Sequence, residues 1–180
     1  MLLLMAGLPG TGKSTLARAI AERMGAFVLD KDRIRAALFP AELIEYSRDQ
    51  DDFVLRVMLK VAGWIVRQDP KRIVILDGRP FSKKYQRDLV IHFAEWTKTR
   101  WRIVECTCSE ETARRRIEHA DHPAADRNFE LYQRVKSEWE EITRPKLVVD
   151  SEIPIDESIG KILAYLGGSG ESNPAGKAEL

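Results

Sequence analysis

The sequence predicts an α/β fold in which a central five-stranded parallel sheet is covered by helices on both faces, giving three layers. Five short apolar runs have the length and composition of buried strands, and helical patterns separate them. Strands that alternate with helices are typical of a parallel sheet, because each parallel connection needs a crossover. The predicted strands are Leu2–Ala6, Ala26–Leu29, Ile73–Asp77, Trp101–Thr107 and Lys146–Val149.

Helical periodicity is clearest between the second and third predicted strands. Apolar residues recur there every three or four positions over three turns, from Val54 to Ile65. The same spacing predicts four further helical stretches, at residues 16–24, 85–93, 132–142 and 155–166.

Length and composition favour one folded domain. The chain has 180 residues, of which 44% are hydrophobic and 32% charged, as in ordinary globular proteins. Residues 167–180 contain almost no apolar side chains. We therefore predict one domain over residues 1–166 and a flexible tail over residues 167–180.

The charge balance and the chain's first residues limit the partners that we expect. Basic and acidic residues nearly cancel, 29 against 28, which argues against an extended nucleic-acid surface but leaves a bound nucleic-acid end open. The opening run MLLLMAGLPG has no basic leader and is too short to span a membrane. Cys106 and Cys108 are expected to be a reduced pair. These features predict a cytoplasmic protein with no membrane partner.

The segment GLPGTGKST, residues 7–15, joins the first predicted strand to the first predicted helix. Its spacing is that of a phosphate-binding loop, in which glycines allow several backbone N–H groups to face an anion. Lys13 supplies a mobile positive charge and Ser14 an oxygen for Mg²⁺. The predicted nucleotide-binding residues in this segment are Gly7, Pro9, Gly10, Thr11, Gly12, Lys13, Ser14 and Thr15.

Acidic and basic residues follow the second predicted strand, at the sheet edge where α/β proteins bind ligands. A carboxylate there can take the proton from an attacking hydroxyl during phosphoryl transfer, and Asp30 and Asp32 are the candidates. Arg35 shares a helix face with Asp32 and could hold an anionic group on the acceptor. The alternative is structural, with Asp30 as a helix cap and Asp32 in the favourable first turn.

Asp77 and Arg79 follow the third predicted strand. A carboxylate after an apolar strand suits a magnesium site, directly or through water, and Arg79 could face the acceptor. The alternative for Asp77 is a plain turn with Gly78.

Arginines also follow the fourth predicted strand, early in a helix. The segment EHADHPAADRN then interrupts the helical pattern and could close over a triphosphate as a flap. Either Arg116 or Arg127 would then stabilise charge in the transition state.

These motifs resemble those of the small P-loop kinases, above all the polynucleotide-kinase-type branch of ATP-dependent phosphotransferases. That family has a G-x-P-G-[ST]-G-K-[ST]-T loop, a D-x-x-R motif after a strand, and a later lid that carries arginine. The matching features here are residues 7–15, Asp32 with Arg35, and the region of Arg116. The similarity covers about residues 1–150.

The resemblance implies a nucleoside-monophosphate-kinase-like fold with a small helical lid at about residues 114–128. It implies ATP and Mg²⁺ as cofactors, with Lys13 on the β- and γ-phosphates and Ser14 on the metal. It also implies that Asp32 is the general base and that Arg35 binds the acceptor phosphate.

The sequence departs from the family at several positions. His119 and the two residues after it occupy the place of a second lid arginine, for which Arg127 could compensate. The segment LDKDRIRAAL is similar to adenylylsulfate kinases, with Lys31 in place of a glycine. The segment LDGRPFSKKYQ is similar to adenylate kinases, with the arginine moved to Arg79.

Taken together, the residues predict an ATP-dependent kinase. It would transfer the γ-phosphoryl group of ATP to a hydroxyl of a small metabolite, a nucleotide or a polynucleotide 5′ end. Two alternatives remain open at this point. One is a nucleotide-hydrolysing switch without an acceptor, and the other is a nucleotide-binding regulator that performs no transfer.

Overall fold

A parallel five-stranded sheet forms the centre of the molecule, which confirms the predicted fold class. The computed structural model describes residues 1–119 and 128–168. The order across the sheet is β2-β3-β1-β4-β5, and every neighbouring pair of strands is parallel. The strands are β1 (Leu2–Ala6), β2 (Phe27–Asp30), β3 (Val74–Asp77), β4 (Trp101–Thr107) and β5 (Leu147–Asp150).

Helices form the crossovers between consecutive strands. One helix follows β1, two follow β2, one follows β3 and two follow β4, and the last helix follows β5. A 3-10 turn at Ala41–Leu43 lies between the second and third helices. The helices are α1 (Lys13–Met24), α2 (Lys31–Leu38), α3 (Arg48–Gln68), α4 (Lys84–Trp96), α5 (Glu110–His119), α6 (Phe129–Ser137) and α7 (Ile155–Gly167).

The central strand β1 is buried on both faces, and this explains why a continuous apolar run predicts it. Leu2 and Leu4 contribute to a core that includes residues of α3 and α4. Leu3 and Met5 contribute to a second core that includes residues of α1 and α7. Alternate side chains of a strand point to opposite faces, so the two cores lie on opposite sides of the sheet. The three-layer arrangement follows from this division.

The predicted helix over residues 132–142 ends earlier in the structure, where α6 stops at Ser137. Beyond that point, backbone groups form hydrogen bonds with distant parts of the chain. The N–H of Glu140 donates to the carbonyl oxygen of Ser82 at 2.9 Å. The carbonyl oxygen of Glu141 accepts a bond from Arg87 at 3.1 Å. These partners satisfy backbone groups that an uninterrupted helix would bond internally.

Some predictions concern residues outside the described part of the chain. The predicted lid includes residues 120–127, and the predicted tail includes residues 169–180, neither of which is described. The domain boundary at residue 166 therefore stays a prediction. Cys106 and Cys108 are both free. Among the residues that the structure describes, no helix has the length and apolar character needed to cross a membrane.

Arg87 connects the turn after β3 to the segment after α6, and we predict that Arg87→Met destabilises the fold. Its guanidinium donates to the carbonyl oxygens of Phe81 at 2.7 Å and of Glu141 at 3.1 Å. The methionine keeps an apolar stem but leaves both acceptors without this partner, so the free energy of unfolding should fall by about 1–3 kcal/mol in urea titration. Lys84→Met, at an exposed side chain with only the Asp88 pair, is the control and should change it little. Equal losses in the two variants would contradict the assignment.

Candidate active site

A cavity of about 1070 Å³ lies at the carboxyl ends of the strands, where the sequence predicts the site. Its floor is formed by residues 7–15, called the phosphate loop below, which join β1 to α1 and include the first three residues of that helix. One side is formed by the first residues of α2 and α3 and by the turn after β3. The other side is formed by residues of α5, α6 and the turn between β5 and α7.

The phosphate loop requires glycine because its backbone passes very close to β4 and α5. Gly7 and Gly10 have φ values of 139° and 82°. A Cβ on Gly7 would lie 2.4 Å from the carbonyl oxygen of Cys106, and a Cβ on Gly10 would lie 2.7 Å from that of Ala113. Neither position has room for a side chain. The tight path of this backbone is therefore built into the fold.

Lys13 begins α1 and closes the phosphate loop. Its Nζ donates to the carbonyl oxygens of Gly7 at 2.9 Å and of Leu8 at 2.8 Å. Lys13, Ser14 and Thr15 line the cavity, so the positive end of the α1 dipole borders it as well. An ammonium group and a helix N-terminus at one point form a favourable place for an anion.

Asp77 is 1% exposed and lies beside the start of α1. Its Oδ1 is buried without a hydrogen-bond partner. Burial raises the pKa of Asp77, while the nearby Ser14 hydroxyl and the N–H of Gly78 offset part of that rise. A buried carboxylate oxygen without a partner, next to a hydroxyl, fits a Mg²⁺ ion that takes its other ligands from phosphates and water.

Asp30 and Asp32 have different roles in the structure. Asp30 caps α2, because its Oδ1 accepts bonds from the N–H groups of Asp32 at 2.9 Å and Arg33 at 3.2 Å. Asp32 lies two residues further, in the first turn of α2, lines the cavity, and has a side chain that is only 10% exposed. Of the two candidates for a proton acceptor, Asp32 is therefore the one whose carboxylate is not used as a cap.

Arg35 does not line the cavity and is 1% exposed. Its guanidinium bonds to Asp32 at 3.0 Å and to Asp51, the fourth residue of α3. The ring of Tyr46 lies 4.9 Å from the guanidinium and does line the cavity. The structure thus places Arg35 behind Asp32, where it holds the carboxylate in position.

Lys31, which stands in place of a glycine in the adenylylsulfate-kinase motif, is also buried at the cavity. Its Nζ lies 2.7 Å from Asp51 and 3.5 Å from Asp32. Burial lowers the pKa of Lys31 to about 8, and the neighbouring Asp32 counteracts part of that change. Asp32 therefore has two buried cationic neighbours, Lys31 and Arg35.

Arg79 lies in the turn after β3, lines the cavity and is 2% exposed. Its Nη2 lies 2.6 Å from Oδ1 of Asp52. Its Nε and Nη1 are buried without a hydrogen-bond partner. Asp51 and Asp52 are the site residues that sequence reasoning missed. Both lie in the first turns of a helix that was recognised only by its apolar face.

Arg116 reaches the phosphate loop from α5. It donates to the side chain and the carbonyl oxygen of Ser151 at 2.8 and 2.9 Å, and to the carbonyl oxygen of Gly10 at 3.4 Å. The side chain therefore lies between the phosphate loop and the turn after β5. Arg127, the other predicted lid arginine, lies outside the described residues.

The predicted site residues fall into two groups. One group lines the cavity directly, and it contains Pro9, Gly10, Gly12, Lys13, Ser14, Thr15, Asp30, Asp32, Arg79 and Arg116. The other group lies directly behind the lining, and it contains Gly7, Thr11, Arg35 and Asp77. The structure thus brings all of them to one end of the sheet.

Comparison with known proteins places this architecture among P-loop proteins. A family model described as "AAA domain" matches residues 2–141. No curated protein matches the chain in sequence.

Three solved structures share the fold at low sequence identity. The APS kinase CysC of Mycobacterium tuberculosis, in complex with AMPPNP and APS, has a TM-score of 0.71 and 19% identity, covering 93% of this chain and 97% of that one. A gluconokinase from Sinorhizobium meliloti has a TM-score of 0.67 and 21% identity, with coverage of 91% and 90%. Kti12 of Chaetomium thermophilum, in complex with ADP-AlF3, has a TM-score of 0.67 and 18% identity, with coverage of 93% and 100%.

The burial of Asp77 leads to a prediction about stability. In the ligand-free protein at neutral pH, Asp77→Asn should increase the free energy of unfolding by about 1 kcal/mol, because it removes a buried charge whose Oδ1 is unpaired. For a chain of this size the Tm should rise by about 3 °C in calorimetry.

The gain should depend on pH. The pKa of Asp77 is higher in the folded protein than its ordinary value of 3.8, so the buried charge is lost as the pH falls through the folded-state pKa. The stabilisation by Asp77→Asn should therefore shrink on acidification. Asp49→Asn, at an exposed position in α3, is the control and should not raise the Tm. A lower Tm for Asp77→Asn would refute the argument.

Proposed function

This chain belongs to the AAA domain family, and we propose that it is an ATP-dependent kinase. It transfers the γ-phosphoryl group of ATP to a hydroxyl of a small metabolite, a nucleotide or a polynucleotide 5′ end. The observation that carries this proposal is the shared cavity of the phosphate loop and Asp32. A donor cradle and a carboxylate that can accept the hydroxyl proton are the two parts that phosphoryl transfer to an alcohol requires.

The donor side consists of the phosphate loop with Lys13 and Arg116. Lys13 donates to two carbonyl oxygens of the loop. It would exchange these bonds for bonds to the β- and γ-phosphates when a nucleotide binds. Arg116 lies at Gly10 and Ser151, where its charge borders the same loop. Two of the solved structures with the same fold were determined with AMPPNP or ADP-AlF3, which supports a nucleotide as the ligand of this loop.

Mg²⁺ is the metal that Ser14 and Asp77 would hold. It would neutralise charge on the phosphates, Ser14 would provide an oxygen ligand, and Asp77 would bind the metal directly or through water. Ser14 is near enough to Asp77 to influence its pKa, which supports one ion held by both groups.

On the acceptor side, Asp32 accepts the proton of the attacking hydroxyl. Its carboxylate is held by Arg35 at 3.0 Å, with Lys31 at 3.5 Å. These ion pairs fix the direction of the carboxylate before the substrate arrives, which favours attack from a preorganised site.

The test is incubation with γ-labelled ATP, Mg²⁺ and a panel of alcohols. The panel contains 5′-hydroxyl oligonucleotides, adenylylsulfate, simple sugars and aminoglycosides. Label in an acceptor supports a kinase. Label only in free phosphate would support the alternative, a nucleotide-hydrolysing switch without an acceptor.

Lys13→Ala should lower the rate of phosphoryl transfer by about 10²–10³, because it removes one preorganised charge from the transition state. Labelled product formed in a single turnover is the measurement. Lys60→Ala changes an exposed lysine in α3 and should leave the rate unchanged. A Lys13→Ala enzyme with the wild-type rate would reject the donor assignment.

Asp32→Asn should separate binding from transfer. The dissociation constant for AMPPNP, measured by calorimetry, should stay close to that of the wild type, while transfer should fall by about 10²–10⁴, the range for general-base catalysis. The exposed Asp49→Asn serves as the control for the change of charge. Parallel losses of affinity and transfer would show that Asp32 has a structural role instead.

A further inference from the structure

Arg33, Arg48 and Lys83 line the acceptor side of the cavity, and six further charged side chains on that side pair with one another. Three are cations and three are carboxylates, and they are joined by ion pairs. Four of them line the cavity and two lie directly behind. This set, called the acceptor wall below, consists of Lys31, Asp32, Arg35, Asp51, Asp52 and Arg79.

Asp51 neutralises the part of the acceptor wall that belongs to α2. Its Oδ1 lies 2.7 Å from Nζ of Lys31 and also bonds to the guanidinium of Arg35. Asp51 lines the cavity, and so does Tyr46, whose ring lies over Arg35. A ligand entering from the cavity therefore meets a carboxylate and an aromatic ring before it meets Arg35.

Asp52 neutralises the part of the acceptor wall that belongs to the turn after β3. It pairs with Nη2 of Arg79 at 2.6 Å and leaves Nε and Nη1 of that arginine without a partner. The charge of Arg79 is therefore compensated, and its Nη2 also donates to the hydroxyl of Tyr85 at 3.4 Å.

This combination favours hydroxyl groups over oxyanions. A phosphate, sulfate or carboxylate at the acceptor wall would lie beside Asp32 and Asp51, and the repulsion would be weakly screened because these side chains are largely buried. A hydroxyl can donate a hydrogen bond to a carboxylate of the wall, whereas an ionised oxyanion has no proton to donate.

We propose that the phosphoryl acceptor is an uncharged polyol and that Asp51 and Asp52 exclude acceptors that carry an oxyanion at this wall. The proposal rests on the kinase function proposed above. The family resemblance implies that Arg35 binds the acceptor phosphate, and the proposal differs because the carboxylate of Asp51 already pairs with Arg35.

Sulfate titration tests the charge balance without requiring turnover. The protein is first saturated with AMPPNP and Mg²⁺, so that the phosphate loop is filled, and sulfate is then titrated by calorimetry. The wild type should show no saturable sulfate binding. Asp51→Asn should gain a sulfate site, because Lys31 and Arg35 then exceed the nearby carboxylates by one charge. Asp52→Asn should do the same at Arg79.

Two controls keep this titration decisive. Asp49→Asn makes the same change of net charge at an exposed position of α3 and should gain no site. Calorimetric melting of each variant shows whether it is folded, and Asp51→Asn and Asp52→Asn test the wall independently. Saturable sulfate binding to the AMPPNP-loaded wild type, or no gain in either folded variant, would overturn the proposal.

A second arm compares matched acceptors with γ-labelled ATP, using sorbitol against gluconate and ribose against ribose 5-phosphate. The neutral member of a pair should be phosphorylated with a kcat/KM at least about tenfold higher, which corresponds to about 1.4 kcal/mol. Faster transfer to the anionic member would overturn the polyol assignment while supporting a kinase. Label only in free phosphate would count against the kinase itself, and the sulfate titration would then decide the charge balance alone.

Discussion

The rest of the site depends on the burial of Asp77 at the end of β3. Its neighbours are Ser14 of the phosphate loop, which acts to lower its pKa, and the turn that carries Arg79. A carboxylate that is 1% exposed with one unpaired oxygen is costly in the ligand-free protein. Such a cost is typical of functional sites, where the polar group finds its partner only when the ligand is bound. The proposed Mg²⁺ would supply that partner.

The acceptor side is organised in a different way, because its charges are satisfied before any ligand arrives. Asp32 contacts Arg35 and Lys31, and Asp51 contacts the same two cations from another helix. Removing any one of these groups would leave a buried charge uncompensated, which is why such networks hold their members in one geometry. The proposed general base is therefore held in one position. In the donor loop, by contrast, Lys13 would exchange its bonds to loop carbonyls for bonds to phosphates when a nucleotide binds.

The sequence predicts the fold well because the signals are local. Strands buried on both faces read as apolar runs, and the φ values of Gly7 and Gly10 require glycine at positions that a short motif can specify. The end of α6 could not be predicted in this way. The helical spacing of apolar residues continues past Ser137, but backbone groups of residues 140 and 141 form hydrogen bonds with distant residues. A sequence pattern cannot show these bonds.

The same distinction between local and distant contacts separates the two sides of the site. Apart from Arg116, the donor side comes from nine consecutive residues, so its chemistry is visible as a motif. The acceptor wall combines α2, α3 and the turn after β3, and its deciding carboxylates, Asp51 and Asp52, lie in α3 at a place where acidic residues also favour a helix N-terminus. Acidic residues there have an ordinary explanation, and only the distances to Lys31 and Arg79 reveal another role. Substitutions in the first turns of α3 can therefore change acceptor specificity while the phosphate loop and the sheet stay the same.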